Sequence, residues 1–295
     1  MKQPIFTGVA TAIITPFKNS EIDLPSFTRL LDFQLENKAD AIVVCGTTGE
    51  ASTMTARERL RLVEHCVEYV NGRIPVIAGS GANCTETAHT MSRDMESVGA
   101  DALLIVTPYY NKATQQGLID HYTTIADSVE IPIILYNVPS RTGVSFTAET
   151  YAALAKHPNI IGTKEASGSF ALVQQTRTLC PEDFYIWSGN DEDTACLCTL
   201  GAKGVISVAG NIIPEKMHDL TEAALANDLH RAGKIQLKLN PLLRALFCEV
   251  NPICVKTALA LMGYCTDEFR LPLCRMQEKN LEYLCDVLRQ YELIA

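Results

Sequence analysis

Eight short runs rich in Val, Ile, Leu and Ala recur along the chain, at Val9–Ile14, Ala41–Cys45, Pro75–Ala78, Ala102–Val106, Pro132–Leu135, Ile160–Thr163, Phe184–Trp187 and Gly204–Val208. They are continuous rather than alternating, which is the pattern of strands covered on both faces of a parallel sheet. Each is preceded or followed by a longer stretch with apolar residues at helical spacing: Ser26–Asn37, Ala56–Val70, Glu86–Val98, Gln116–Ser128, Ala148–Lys156, Phe170–Leu179, Glu192–Leu200 and Glu215–Ala226. Eight βα units use about 200 to 250 residues and close on themselves without leaving a sheet edge. The predicted fold class is therefore α/β, a (β/α)8 barrel.

Helix-start signals agree with these spans. Thr55-x-x-Glu58 fits a capping box, and Pro25 and Pro214 stand where a first helical turn has no use for an N–H. Beyond residue 226 the alternation stops, and only helical patterns follow, at Leu229–Phe247, Pro252–Met262 and Leu273–Leu293. This divides the chain into a barrel, 1–226, and a C-terminal α-helical region, 227–295. The second part carries no catalytic constellation, and its expected role is packing against the barrel or a neighbouring subunit.

Composition narrows the function. With 295 residues, 47% hydrophobic and 20% charged, the chain can bury a large core. The net charge of -9, with no cluster of Lys and Arg, argues against nucleic acid as a partner. Eleven cysteines cannot all pair within one chain, contain no C-x-x-C, and read as reduced, mostly buried small hydrophobes. Pro4, Thr7, Thr11 and Thr15 interrupt the apolar residues of Met1–Phe17, and nowhere do eighteen apolar residues run together. The expectation is a cytoplasmic protein with no membrane partner.

In a barrel of this kind the residues that follow each strand converge on one pocket. Here those residues are strongly polar, and among them Lys164 ends the apolar run Ile160–Thr163. An amine held at the end of a buried strand is disfavoured in its charged form, and the neutral form attacks carbonyls. Gly46-Thr47-Thr48-Gly49-Glu50 combines a sharp turn with two hydroxyls, which suits a carboxylate. Tyr136 ends the fifth run beside Lys164, and with Thr47 and one of Tyr109 and Tyr110 would make a proton chain. Arg141 offers a planar fork to a substrate carboxylate. Taken singly, each has an ordinary structural use: a strand reaching water, a turn, a packed phenol, a solvated arginine. Gly79-Ser80-Gly81 suggests a nucleotide loop, but the third glycine would fall on Cys84, and that cofactor reading is set aside.

Together, Gly46-Thr47-Thr48-Gly49-Glu50, Tyr109-Tyr110-Asn111, Tyr136-Asn137-Val138-Pro139-x-Arg141-Thr142-Gly143 and Gly162-Thr163-Lys164-Glu165-Ala166-Ser167-Gly168 closely resemble the 4-hydroxy-tetrahydrodipicolinate synthase (dihydrodipicolinate synthase) family, one of the pyruvate-dependent class I aldolases. The resemblance extends from Gly8 through Asn251-Pro252-Ile253 and Arg270-Leu271-Pro272-Leu273. It implies condensation of pyruvate with aspartate 4-semialdehyde, the first committed step toward diaminopimelate and lysine. By the same resemblance Lys164 forms the imine, while Tyr136, Thr47 and Tyr110 pass protons. Thr48, with Thr47, holds the pyruvate carboxylate, Arg141 grips the semialdehyde carboxylate, and Gly189 and Ile206 line the pyruvate pocket. No metal or organic cofactor is implied. Relatives of this kind form a homotetramer, a dimer of dimers, with Tyr110 supplied to the adjoining subunit.

The sequence departs from the family pattern in one place. Lysine-inhibited members use histidines near the start of the second helix, where this chain reads Ala51-Ser52-Thr53-Met54-Thr55-Ala56-Arg57-Glu58-Arg59, and Glu86 is displaced by one position. Weak or absent feedback by lysine is expected. The nearest rival function is another pyruvate aldolase, such as an N-acetylneuraminate lyase or a keto-deoxy sugar acid aldolase. Arg141 and the Thr47-Thr48 pair favour the short, carboxylate-bearing aldehyde over a polyhydroxylated sugar. A silent barrel that only binds a small acid is the alternative outside catalysis.

Overall fold

The computed structural model describes all residues, 1–295. The eight apolar runs are eight parallel strands: β1 (Gly8–Ala12), β2 (Ala41–Val44), β3 (Val76–Gly79), β4 (Ala102–Val106), β5 (Ile133–Asn137), β6 (Ile160–Glu165), β7 (Tyr185–Ser188) and β8 (Gly204–Ser207). They close into a barrel in the order β1-β8-β7-β6-β5-β4-β3-β2, so every strand lies beside its sequence neighbours and β1 pairs with β8. Around it lie α1 (Leu24–Glu36), α2 (Ala56–Val70), α3 (Thr85–Ser97), α4 (Gln115–Ala126), α5 (Ala148–Leu154), α6 (Phe170–Leu179), α7 (Thr194–Thr199) and α8 (Pro214–Leu225).

Two cores follow from the period of two along each strand. Ala10, Ala12, Val43, Ile77, Leu104, Ile134, Tyr136, Trp187 and Ile206 belong to an inner cluster of 15 buried residues. Val9, Ile42, Val44, Leu103, Ile105, Ile133 and Leu135 join the larger cluster between sheet and helices. The Thr55 capping box forms as expected: the Glu58 N–H donates to Thr55 Oγ1 at 3.2 Å and the Thr55 N–H to Glu58 Oε2 at 2.8 Å. Arg270 adds a 2.6 Å contact to Glu58, and that hydrogen bond above all holds the Glu58 carboxyl down to about 2.

Several boundaries differ from the sequence pattern, each for a local reason. The fifth and sixth strands run two residues further than their apolar stretches, because Tyr136–Asn137 and Lys164–Glu165 continue the ladder although they are polar. The helix expected over Glu192–Leu200 begins as a 3-10 turn at Asp191–Asp193 and becomes α-helical only at Thr194. A two-residue hairpin, Phe17–Lys18 with Glu21–Ile22, was not indicated by periodicity at all. The cysteines also need correcting. All eleven are free, but only Cys45, Cys66 and Cys254 are buried, while Cys84, Cys196 and Cys274 are exposed.

The remaining helices are α9 (Leu229–Ala245), α10 (Ile253–Leu261) and α11 (Glu278–Gln290). The last begins five residues later than the pattern from Leu273. None of the helices is long and apolar enough to cross a membrane. Helix α9 packs along α8, and the segment that leads into α10 turns back to the mouth of the barrel.

Candidate active site

Strand β6 is not regular, and this decides what faces the lumen. Ile133 pairs with Ile160 but Ile134 pairs with Gly162, so Ile161 is an extra residue in the ladder. Such a bulge exchanges the faces of everything beyond it. Ile161 lies in the inner cluster. Beyond it, Thr163 and Glu165 turn outward to the Tyr151 hydroxyl on α5, at 3.2 and 2.8 Å, and Lys164 turns inward. Gly162 is required at the bulge: a Cβ there would stand 2.1 Å from the Tyr185 carbonyl oxygen.

Lys164 is therefore paired in register with Tyr136 on β5, and its Nζ lies 4.5 Å from the centre of the phenol ring. Its residue exposure is 5%. Burial pushes the ammonium down from 10.5 to about 8; the Arg141 guanidinium acts in the same direction and the Asp191 carboxylate opposes it. The Asp191 carboxyl is itself raised by burial, although its Oδ2 accepts the Val208 and Ala209 N–H groups at 3.0 Å each. An amine near 8 is neutral in about a tenth of molecules at pH 7 and about half at pH 8, far more than a solvated lysine, and so is a competent nucleophile.

The Tyr136 phenol is pushed up by burial, against the pull of Arg141 and of a hydrogen bond from the Thr47 side chain. Thr47 lies in the turn Gly46–Glu50, closed by the Gly49 N–H on the Gly46 carbonyl and the Glu50 N–H on the Thr47 carbonyl, both at 3.1 Å. Thr48 in the same turn is 2% exposed. A cavity of about 260 Å³ opens beside these groups, lined among others by Thr47, Tyr109, Tyr136 and Arg141. Arg141 sits on a short helix, Pro139–Thr142, that brings it back over the mouth.

Of the residues singled out from sequence, Tyr136, Thr47 and Arg141 line this cavity, Lys164 lies against the Tyr136 ring, and Thr48 stands beside Thr47 with its hydroxyl turned to Asn251. Gly189 follows β7 and donates its N–H to the Glu165 carbonyl at 2.8 Å; a Cβ on it would meet that of Ala166 at 2.6 Å. Ile206 on β8 is fully buried in the inner cluster. Tyr110 is the exception. It is 89% exposed with φ of 75°, and it does not line the cavity.

Sequence reasoning missed three features. Asn137 and Glu165, paired in register next to Tyr136 and Lys164, hydrogen-bond each other at 3.1 Å outside the barrel and lock the two strands together. Asp191 was visible only as one polar residue after β7. Most clearly, the C-terminal region was read as packing alone, yet Asn251 donates to Thr48 Oγ1 at 3.0 Å and its carbonyl accepts from Arg141 at 3.2 Å. The helical period of that region carries no sign of this, because the contact is made by an irregular residue between two helices.

A buried, depressed amine beside a phenol, a hydroxyl and a guanidinium is chemically competent to form an imine with a small keto acid. The model of the dihydrodipicolinate synthetase family matches residues 5–291. The chain belongs to that family. The 4-hydroxy-tetrahydrodipicolinate synthase of Alkaliphilus oremlandii is 49% identical over 290 residues, 98% of this chain and 100% of that protein. Among solved dihydrodipicolinate synthases, that of Thermotoga maritima superposes with a TM-score of 0.97 at 45% identity, covering 99% of this chain and 100% of its own. That of Acinetobacter baumannii, solved with pyruvate, gives 0.95 at 42% identity over 98% and 99%. The similarity thus spans barrel and C-terminal helices alike, as expected of a member of the dihydrodipicolinate synthetase family.

Proposed function

We propose that this chain condenses pyruvate with L-aspartate 4-semialdehyde to give 4-hydroxy-tetrahydrodipicolinate, the first committed step of the diaminopimelate and lysine route. The observation that carries the reading is the Lys164 amine, buried and depressed to about 8, with its nitrogen 4.5 Å from the Tyr136 ring. Its neutral amine adds to the keto carbon of pyruvate, and loss of water leaves an iminium. The iminium nitrogen draws electrons as a methyl proton departs, giving an enamine whose terminal carbon attacks the aldehyde. The amine of the substrate then closes the ring and displaces Lys164, so the enzyme is regenerated.

Each side chain has a part in this scheme. Thr47 and Thr48, with N–H groups of their turn, bind the pyruvate carboxylate; Tyr136 and Thr47 relay protons, joined by a Tyr110 from an adjoining subunit. Arg141 binds the semialdehyde carboxylate, while Gly189 and Ile206 shape the pyruvate end. Asp191 opposes the desolvation of Lys164, so its charge favours the iminium as well. The barrel, 1–226, supplies the reacting groups and the region 227–295 braces them. A homotetramer fits the exposure of Tyr110, which has no role in its own pocket. Eleven free thiols fit a reducing cytoplasm.

The test is the condensation assay with pyruvate and aspartate semialdehyde on the parent and Lys164→Ala, with reductive trapping by borohydride as companion. Turnover in the parent, its loss in the variant, and a reduced pyruvyl adduct on Lys164 are the expected results. Turnover with N-acetylneuraminate or a keto-deoxy sugar acid instead would transfer the reading to another aldolase. An unmodified Lys164 would leave only a binding barrel.

A further inference from the structure

The segment Asn251–Lys256 enters the barrel mouth and makes two contacts with one turn. Asn251 Nδ2 donates to Thr48 Oγ1 at 3.0 Å. Lys256 Nζ contacts Glu50 Oε1 at 2.6 Å, and both side chains are wholly buried. Glu50 holds φ of 53°, the left-handed region, at the point where the turn leaves for Ala51. Burial pulls the Lys256 ammonium down, and the Glu50 carboxylate is the first of the groups that hold it up. Lys256 also lies over the Phe17 and Phe269 rings, at 4.2 and 5.1 Å.

A buried ion pair of this kind is a poor source of stability, since two hydrophobic groups of the same volume commonly do as well. What it supplies is geometry, because both charges must stay where the other is. The turn it fixes carries Thr47 and Thr48. We infer that Lys256 and Glu50, with Asn251, are positioning residues for the α-keto acid: they hold the Thr47–Thr48 hydroxyls and the adjoining N–H groups in the arrangement that receives its carboxylate. None of the three touches the reacting atoms through the contacts described. The inference rests on the proposed reading of Thr47 and Thr48 as the keto-acid carboxylate site, and it gives the C-terminal region a part in substrate affinity rather than in packing alone.

The double variant E50Q/K256M is the direct test. It removes both charges together, keeps an acceptor at position 50, and leaves a thioether against the two aromatic rings, so no lone buried charge remains. The double variant is expected to keep a cooperative thermal transition. Its half-saturating pyruvate concentration should rise about tenfold, the size of one weakened hydrogen bond to a carboxylate, with the semialdehyde KM within about twofold. Asn251→Ala, which unties Thr48 and leaves the ion pair, should move pyruvate in the same direction.

A folded double variant with pyruvate saturation unchanged overturns the inference. If the double variant does not fold, Asn251→Ala decides: a raised pyruvate KM supports the inference, and an unchanged KM overturns it. Parent protein that fails to trap pyruvate on Lys164 would instead refute the proposed function, so the two failures are read from different samples.

Discussion

The depression of Lys164 makes a prediction about how pyruvate capture depends on pH. The perturbation is pH alone, and the assay is the initial rate at which pyruvate and cyanoborohydride modify Lys164, followed by mass. With its proton affinity at about 8 rather than 10.5, the amine is mostly ammonium below pH 8 and mostly neutral above it. Its neutral fraction grows about fiftyfold from pH 6 to pH 8 but only about twofold from pH 8 to pH 10. An amine in bulk water would climb steeply through both intervals, about a hundredfold in the lower and about seventyfold in the upper. The sign follows from the cause, since burial penalises the charged form and so lowers the pH at which the nucleophile appears. Asp191 opposes burial, so Asp191→Asn should move the plateau to lower pH while Asn still accepts the Val208 and Ala209 N–H groups. A capture rate that keeps climbing tenfold per unit up to pH 10 would refute desolvation as the source of reactivity.

Three further outcomes are expected. Tyr136→Phe keeps the ring beside Lys164 but removes the hydroxyl that meets Thr47, and should lower kcat about a hundredfold with little change in thermal stability; a kcat within threefold would remove Tyr136 from the proton chain. Arg141→Ala should raise the KM for aspartate semialdehyde at least about tenfold, as for a lost charge-assisted pair, and leave reductive trapping of pyruvate largely intact. Sub-millimolar lysine should have weak or no effect on the condensation rate, because the stretch Ala51–Arg59, where lysine-inhibited relatives are expected to carry histidines, holds none; a clear fall in rate would show otherwise.

How much was legible in the sequence varies with the range of the interaction involved. The eight strands and the order of their helices were readable because burial on both faces writes a continuous apolar run, and that signal is local. The Thr55–Glu58 cap was readable for the same reason, since it joins residues three apart. Lys164, Tyr136, Thr47, Thr48 and Arg141 could be named as candidates because each follows or ends such a run. Their convergence could be expected only from the fold class and the family resemblance.

Tertiary structure decided the rest. Strict alternation onward from Ile161 would have turned Thr163 into the lumen and Lys164 out toward the helices; the unpaired residue at Ile161, a property of the pairing between two strands, reverses this. The proton affinity of the amine depends on how completely neighbouring elements exclude water, which no stretch of sequence states. The contacts of Asn251 with Thr48 and of Lys256 with Glu50 join residues 203 and 206 positions apart, beyond the reach of any periodicity. The sequence by itself determined which segments are strands and helices and which side chains were available at the barrel mouth, because those follow from local burial patterns. Which of those side chains face one another, and how far water is kept from them, is set by strand register and by the returning C-terminal segment, and exists only once the chain has folded.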